Sequence, residues 1–138
     1  MIDPFKENHG YLLRRASTTA MTDLAKRLKT LDLRPTEATV LLTIDTNLKP
    51  TLSEIGRLLE IASANMAPLI ARLEGRDLIR REPMDGRSHA LSLTPAGEEM
   101  TERIKQIVAG QEADLHSKIP SELRGAFLKA LRDIWKNA

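Results

Sequence analysis

Residues 59–93 read LEIASANMAPLIARLEGRDLIRREPMDGRSHALSL. The stretch opens with a small, polar run, Ser63-Ala64-Asn65, and continues with Met66, Leu69, Ile70 and Leu73 at helical spacing. Apolar residues at i, i+3, i+4 and i+7 predict one buried helix face, from about Ser63 to Arg76. Leu78 to Glu82 then predicts a strand, and Pro83-Met84-Asp85-Gly86 a tight turn, since Asp-Gly favours the positive φ angles of hairpin loops. The chain returns from Ser88 with His89, Leu91 and Leu93 alternating with Ala90 and Ser92. A helix with a small-residue nose, backed by a charged hairpin, is a shape that suits a DNA groove.

Upstream, Thr51 and Glu54 have capping-box spacing and start a helix from Leu52 to Leu59, with Leu52, Ile55, Leu58 and Leu59 inward. Gly56 inside it costs roughly 1 kcal/mol relative to Ala, which a close helix crossing explains. Two helices joined at Glu60-Ile61-Ala62 make a helix-turn-helix, and the hairpin adds a wing. Earlier still, Leu13, Ala16, Ala20, Leu24, Leu28 and Leu31 share a face of a first helix from about Phe5 to Leu31. A second helix runs from about Thr36, taken as its cap after Pro35, to Asp45. Downstream, Thr94-Pro95 supplies an N-cap and first helical residue for a fifth helix reaching about Lys118. Met100, Ile104, Ile107, Val108 and Leu115 face inward on it. Ser121 caps a sixth helix with an apolar stripe of Leu123, Phe127, Leu131, Ile134 and Trp135. The fold class is thus mainly α (α+β), with six helices and a two-stranded wing.

Composition limits the function. The 138 residues fit one domain, with 41% hydrophobic, 29% charged and only 3% aromatic residues. A core of Leu, Ile, Ala and Met follows, completed in part by a partner chain. No apolar run approaches the roughly 18 to 20 residues of a membrane span, and Met1 to Gly10 lacks secretory-signal character, so the expected location is cytoplasmic. The absence of cysteine excludes disulfides, thiolate catalysis, a thiol-oxidation switch and Cys-ligated zinc. His9, His89 and His116 are scattered, none at metal spacing with a carboxylate, and no phosphate loop or nucleophile elbow occurs. Neither catalytic residues nor a metal or other cofactor is expected. Net charge is +2, yet from Thr51 to Pro95 six arginines meet six acids. A DNA argument must therefore rest on where the arginines point.

The series LIARLEGRDLIRR, Asp85-Gly86-Arg87 and LSLTPAGEEM, in this order and spacing, resembles the MarR family of bacterial transcriptional regulators over nearly the whole chain. The resemblance implies a winged helix-turn-helix lobe over about 36–95, with dimerisation helices over about 5–31 and 95–138. It implies a homodimeric repressor of double-stranded DNA, reading an inverted repeat and released when a small-molecule effector shifts the spacing of the recognition helices. Ser63 and Asn65 are then expected at base edges or phosphate, Asn being suited to adenine, while Ala64 and Ala67 touch thymine methyls. Pro68, inside the recognition helix, can kink it. Arg72 is expected at phosphate, Arg81 at phosphate or as a wing brace, and Arg80 toward solvent. Arg87 matches the family's minor-groove arginine and Asp85 the acid that orients it. Asp77 stands where the family usually has Gly, and Asp tolerates left-handed geometry better than most residues. Leu123, Phe127, Leu131, Ile134 and Trp135 would form the dimer interface. His9, Tyr11, Arg14 and Arg15 can meet a phenol, carboxylate or phosphate of an effector, an aromatic acid or aromatic acyl-CoA in this family's style. The alternative is a winged helix for protein or RNA contacts without operator binding.

Overall fold

The computed structural model describes residues 1–86 and 88–136. In chain order come α1 (His9–Leu28), α2 (Pro35–Thr46), α3 (Leu52–Leu58), α4 (Ser63–Gly75), β1 (Ile79–Pro83), β2 (His89–Leu93), α5 (Pro95–Ser117) and α6 (Arg124–Lys136). Single 3-10 turns, Lys29–Leu31 and Ser121–Leu123, close α1 and lead into α6. The predicted six helices and two-stranded wing are thus the elements found among the described residues. The chain forms two compact units, Met1–Ile107 and Val108–Ala138.

Helix starts follow local side-chain chemistry. At α3 the capping box forms as expected: Thr51 Oγ1 accepts from the Glu54 amide at 3.1 Å and Glu54 Oε2 from the Thr51 amide at 3.0 Å. At α2 the expected cap Thr36 lies inside the helix, because Pro35 is itself the first helical residue. Glu37 Oε1 instead reaches back to the Arg34 amide at 2.8 Å. At α1 the helix starts later than Phe5. Asp3 Oδ1 accepts from the Phe5 amide at 2.9 Å and the Asn8 amide bonds the Phe5 carbonyl at 2.8 Å, so the chain opens in turns.

Three helix ends share a device. Asp32, Glu60 and Asp77 adopt φ angles of 51°, 55° and 57°. After each, the next amide bonds a carbonyl five residues back: Leu33 to Leu28, Ile61 to Gly56, Leu78 to Leu73. This left-handed closure satisfies carbonyls that a helix end otherwise leaves open. Asp77 thus takes the geometry expected of it.

The core of the first unit gathers Leu28, Leu41, Ile55, Met66, Ile70, Leu73, Leu91 and Ile104, all fully buried. Gly56 sits in tight quarters where α3 meets the turn into α4. A Cβ there would lie 3.3 Å from the Ile61 carbonyl oxygen and 3.5 Å from Met66 Cγ. Leu58, expected inward, is 66% exposed; the helix buries Ile55 and Gly56 and turns Leu58 outward. In the wing, β1 and β2 pair antiparallel from Ile79↔Leu93 to Pro83↔His89. Ala90 and Leu91 are both buried, breaking the expected alternation, because the strand's other edge is covered: Leu91 donates to the Pro50 carbonyl at 2.9 Å and Thr51 bridges Ala90.

Candidate nucleic-acid interface

The two faces of α4 are cleanly divided. Met66, Ile70 and Leu73 are buried, while Ser63, Ala64, Asn65, Ala67, Pro68 and Ala71 are exposed. No long side chain stands on that exposed face, so a groove floor can approach the backbone. Ser63 and Asn65 are free of the duty that often explains such residues at a helix start. The N-cap is Ala62, and no side chain caps the first turn. The Asn65 amide bonds the Ala62 carbonyl at 2.9 Å, and the Ser63 and Ala64 amides ahead of it remain available to an acceptor such as phosphate. The helix runs unbroken through Pro68, whose missing N–H leaves the Ala64 carbonyl without its usual donor on this same face.

The arginines behind the nose are committed to the scaffold. Arg72 Nε lies 2.8 Å from Glu37 Oε2, and Nη2 lies 3.6 Å from Asp32 Oδ1. The Glu37 contact is ionic without a hydrogen bond, because the N–H is not aimed at the oxygen. Glu37 is only 3% exposed, so its charge depends on Arg72 for a counter-ion. Beside the phosphate role expected of it, Arg72 thus has an inward partnership with Glu37 and Asp32. Arg76, which sequence reasoning did not single out, donates to the Asp32 carbonyl at 2.5 Å and the Leu31 carbonyl at 3.0 Å. Arg72 and Arg76, one helical turn apart, thus strap the C-terminal half of α4 to the corner between α1 and α2. The i, i+4 spacing was visible in the sequence, but the carbonyl acceptors were not. Arg81 bonds Glu74 Oε1 through Nε at 2.7 Å, so it braces β1 against α4. Arg80 is exposed.

At the wing, Met84 donates to the Ser88 carbonyl at 3.0 Å, and Gly86 takes φ 76°. Asp85 is exposed at this tip. Arg87 lies outside the described residues. Lys49, in the turn between α2 and α3, pairs with Glu82 of the wing at 2.9 Å.

Of the residues expected to meet an effector, three come together. Arg14 and Arg15 sit over the Tyr11 ring, with guanidinium carbons 5.6 and 6.0 Å from its centroid. The Phe5 ring lies 5.9 Å from it, and the Tyr11 hydroxyl donates to Asp3 Oδ2 at 2.5 Å. That hydrogen bond is the largest cause of a raised Tyr11 pKa and a lowered Asp3 pKa. His9 is exposed and outside this cluster. On α6, Phe127, Ile134 and Trp135 are exposed together with Leu128, Leu131 is half-buried, and Leu123 precedes them exposed in the 3-10 turn. Among the described residues no helix is long and apolar enough to cross a membrane.

A sequence profile of the MarR family matches residues 33–89. The transcriptional repressor CouR, solved bound to a 23-mer DNA duplex, is 32% identical, covers 97% of this chain over 99% of its own, and superposes with a TM-score of 0.87. The same repressor bound to p-coumaroyl-CoA is 29% identical with a TM-score of 0.89, covering 100% of this chain and 99% of its own. A putative transcriptional regulatory protein for the hcr operon of Thauera aromatica is 25% identical over 130 residues, 92% of this chain and 78% of that protein.

Proposed function

The chain belongs to the MarR family of transcriptional regulators, and we propose that it is a homodimeric repressor that binds an inverted-repeat operator and is released by an aromatic acyl-CoA thioester. The family is one of regulators rather than enzymes. The observation that carries the DNA reading is the bare face of α4: small residues and one amide, with no side-chain cap, opposite a buried apolar stripe. Inserted into a major groove, Asn65 pairs with a base edge, the Ser63 hydroxyl and the Ser63 and Ala64 amides hold phosphate, and Ala64 and Ala67 pack on thymine methyls. Pro68 keeps the Ala64 carbonyl open beside them. Arg87, oriented by Asp85, enters the minor groove. Arg72 and Arg81 contribute by fixing α4 and the wing rather than by adding charge to the groove. The thioester assignment is supported by the likeness to CouR and by the Tyr11, Arg14 and Arg15 cluster, with His9 nearby in sequence. Dimerisation is assigned to the apolar stripe of α6, and a two-fold dimer places its half-sites about one helical turn apart.

The test is a fluorescence-anisotropy titration on DNA from upstream of the protein's own gene. A specific complex is expected that p-coumaroyl-CoA dissolves. Asn65→Ala and Arg87→Ala are expected to weaken it by about tenfold or more, corresponding to a loss of about 1–3 kcal/mol per base contact. The balanced charge of the lobe predicts a shallow salt slope, since few phosphates are neutralised. That same balance is what favours the second reading, a winged helix for protein or RNA contacts. Absence of any specific complex at low salt would leave that second reading standing and sink the first.

A further inference from the structure

Helix α1 carries a concentration of positive charge. Arg14, Arg15, Lys26 and Arg27 stand on this helix against the single acid Asp23. Asp23 is engaged by Arg27 at 2.9 Å, one turn away. Arg14, Arg15 and Lys26 are all exposed, and the acid nearest in effect to Arg15 is Asp3, whose pKa it helps to lower. With Thr18, Thr19, Thr22 and Asp23 they line an open groove of about 670 Å³.

The order of these side chains is informative. Arg14, Thr18, Thr22 and Lys26 recur every four residues, so they make one row with a cation at each end and hydroxyls between. At 1.5 Å per residue the row is about 18 Å long. Thr19 continues a second row from Arg15. Threonine is a poor choice for an exposed helix position, where Lys, Glu or Gln form helix better. It is equally poor for an apolar dimer seam. Hydroxyls framed by guanidinium and ammonium groups are instead the usual partners of phosphate oxygens. At the head of the groove the Tyr11 ring lies under Arg14 and Arg15.

We infer that this groove seats the nucleotide end of the thioester effector, with the pyrophosphate and ribose phosphate of CoA held by Arg14, Arg15, Lys26 and the threonine hydroxyls. The inference rests on the acyl-CoA reading above and adds a division of labour to it. The nucleotide supplies affinity that does not depend on the acyl group, and the aromatic acyl group is bound elsewhere.

Isothermal titration calorimetry on the full chain tests this with four probes: p-coumaroyl-CoA, CoA, dephospho-CoA and free p-coumarate. CoA alone is expected to bind, and dephospho-CoA more weakly. The double substitution Arg14→Gln/Lys26→Gln is expected to weaken CoA and the thioester by the same factor, about tenfold or more for two lost charge-assisted contacts. Both positions are exposed, and a melting curve that overlays the wild type confirms that the fold is kept. Undiminished thioester binding by the double variant would overturn the groove while leaving the acyl-CoA reading intact. A wild type that binds p-coumarate but neither CoA nor p-coumaroyl-CoA would overturn both. A matching loss of operator affinity in the absence of thioester would assign the groove to DNA phosphate and overturn it as an effector site.

Discussion

Tyr11 is the one tyrosine in the chain, so its ionisation can be read directly in the ultraviolet. Its hydroxyl is held by the Asp3 carboxylate, and removing the phenolic proton would set two negative charges against each other. The nearby Arg15 and Arg14 pull the other way, but the hydrogen bond to Asp3 is the larger cause and the pKa is raised. Tyrosinate absorbance should therefore appear above the ordinary pKa of about 10, and Asp3→Asn should lower the midpoint. A wild-type midpoint at the ordinary value would show that the turn before α1 does not hold Asp3 against Tyr11 in solution. Gly97 makes a harder demand. A Cβ there would lie 2.0 Å from the Leu78 carbonyl oxygen, because Thr94 pins the start of α5 onto the turn between α4 and β1. The Thr94 amide donates to Leu78, and its hydroxyl donates to the Asp77 carbonyl and accepts from the Gly97 amide. Gly97→Ala must displace backbone and should cost about 3 kcal/mol, at the upper end of overpacking penalties; urea denaturation measures it. The LTPAG stretch announced the cap and the helix start. It could not announce the crowding, whose other half belongs to a different element.

At the scale of the element, helix interiors and starts were legible because their signals are local. The stripe of α4, the capping box of α3 and the Thr-Pro start of α5 lie within one or two turns of sequence. Ends and outward partners were less so. Asp77 could be read because Asp tolerates positive φ, whereas Glu60 gives no such signal and yet closes α3 with φ 55°. This difference is testable. Replacing either residue with Gly removes a steric penalty, offset by the entropy that Gly adds to the unfolded chain. Asp, with its short polar side chain, bears less of that penalty than Glu. Glu60→Gly should therefore stabilise the lobe by about 1 kcal/mol and Asp77→Gly by less, with the ranking checked by chemical denaturation. The arginines show the same limit. Helical spacing placed Arg72 beside the recognition face, but its ion-pair partners, Glu37 and Asp32, precede it by more than thirty residues and entered no local pattern. Sequence thus carried the small and amide residues of the candidate DNA face, but not the carboxylates that hold Arg72 beside it.

For the whole molecule the decisive surface is α6. Leu123, Phe127, Leu128, Ile134 and Trp135 are all exposed, with Trp135 at 67%. A contiguous apolar stripe of this kind on a small protein marks an association surface, and a large aromatic at its end has the character of an interface hot spot. Trp135 is also the only tryptophan, so its emission reports on its own environment. If α6 packs against a second copy, emission is blue-shifted at micromolar concentration and moves to the red on dilution, in step with the loss of dimer in sedimentation. Trp135→Ala should loosen the dimer by about 30-fold or more, the effect of removing a contact worth at least 2 kcal/mol. It should also weaken operator binding while leaving α4 and the wing untouched, because a monomer engages a single half-site and loses the effective concentration that ties the two recognition helices together. The two readouts are separable. A variant that stays as tightly dimeric as the wild type removes α6 from the interface. A variant that becomes monomeric yet binds the operator as before removes the dimer from DNA recognition.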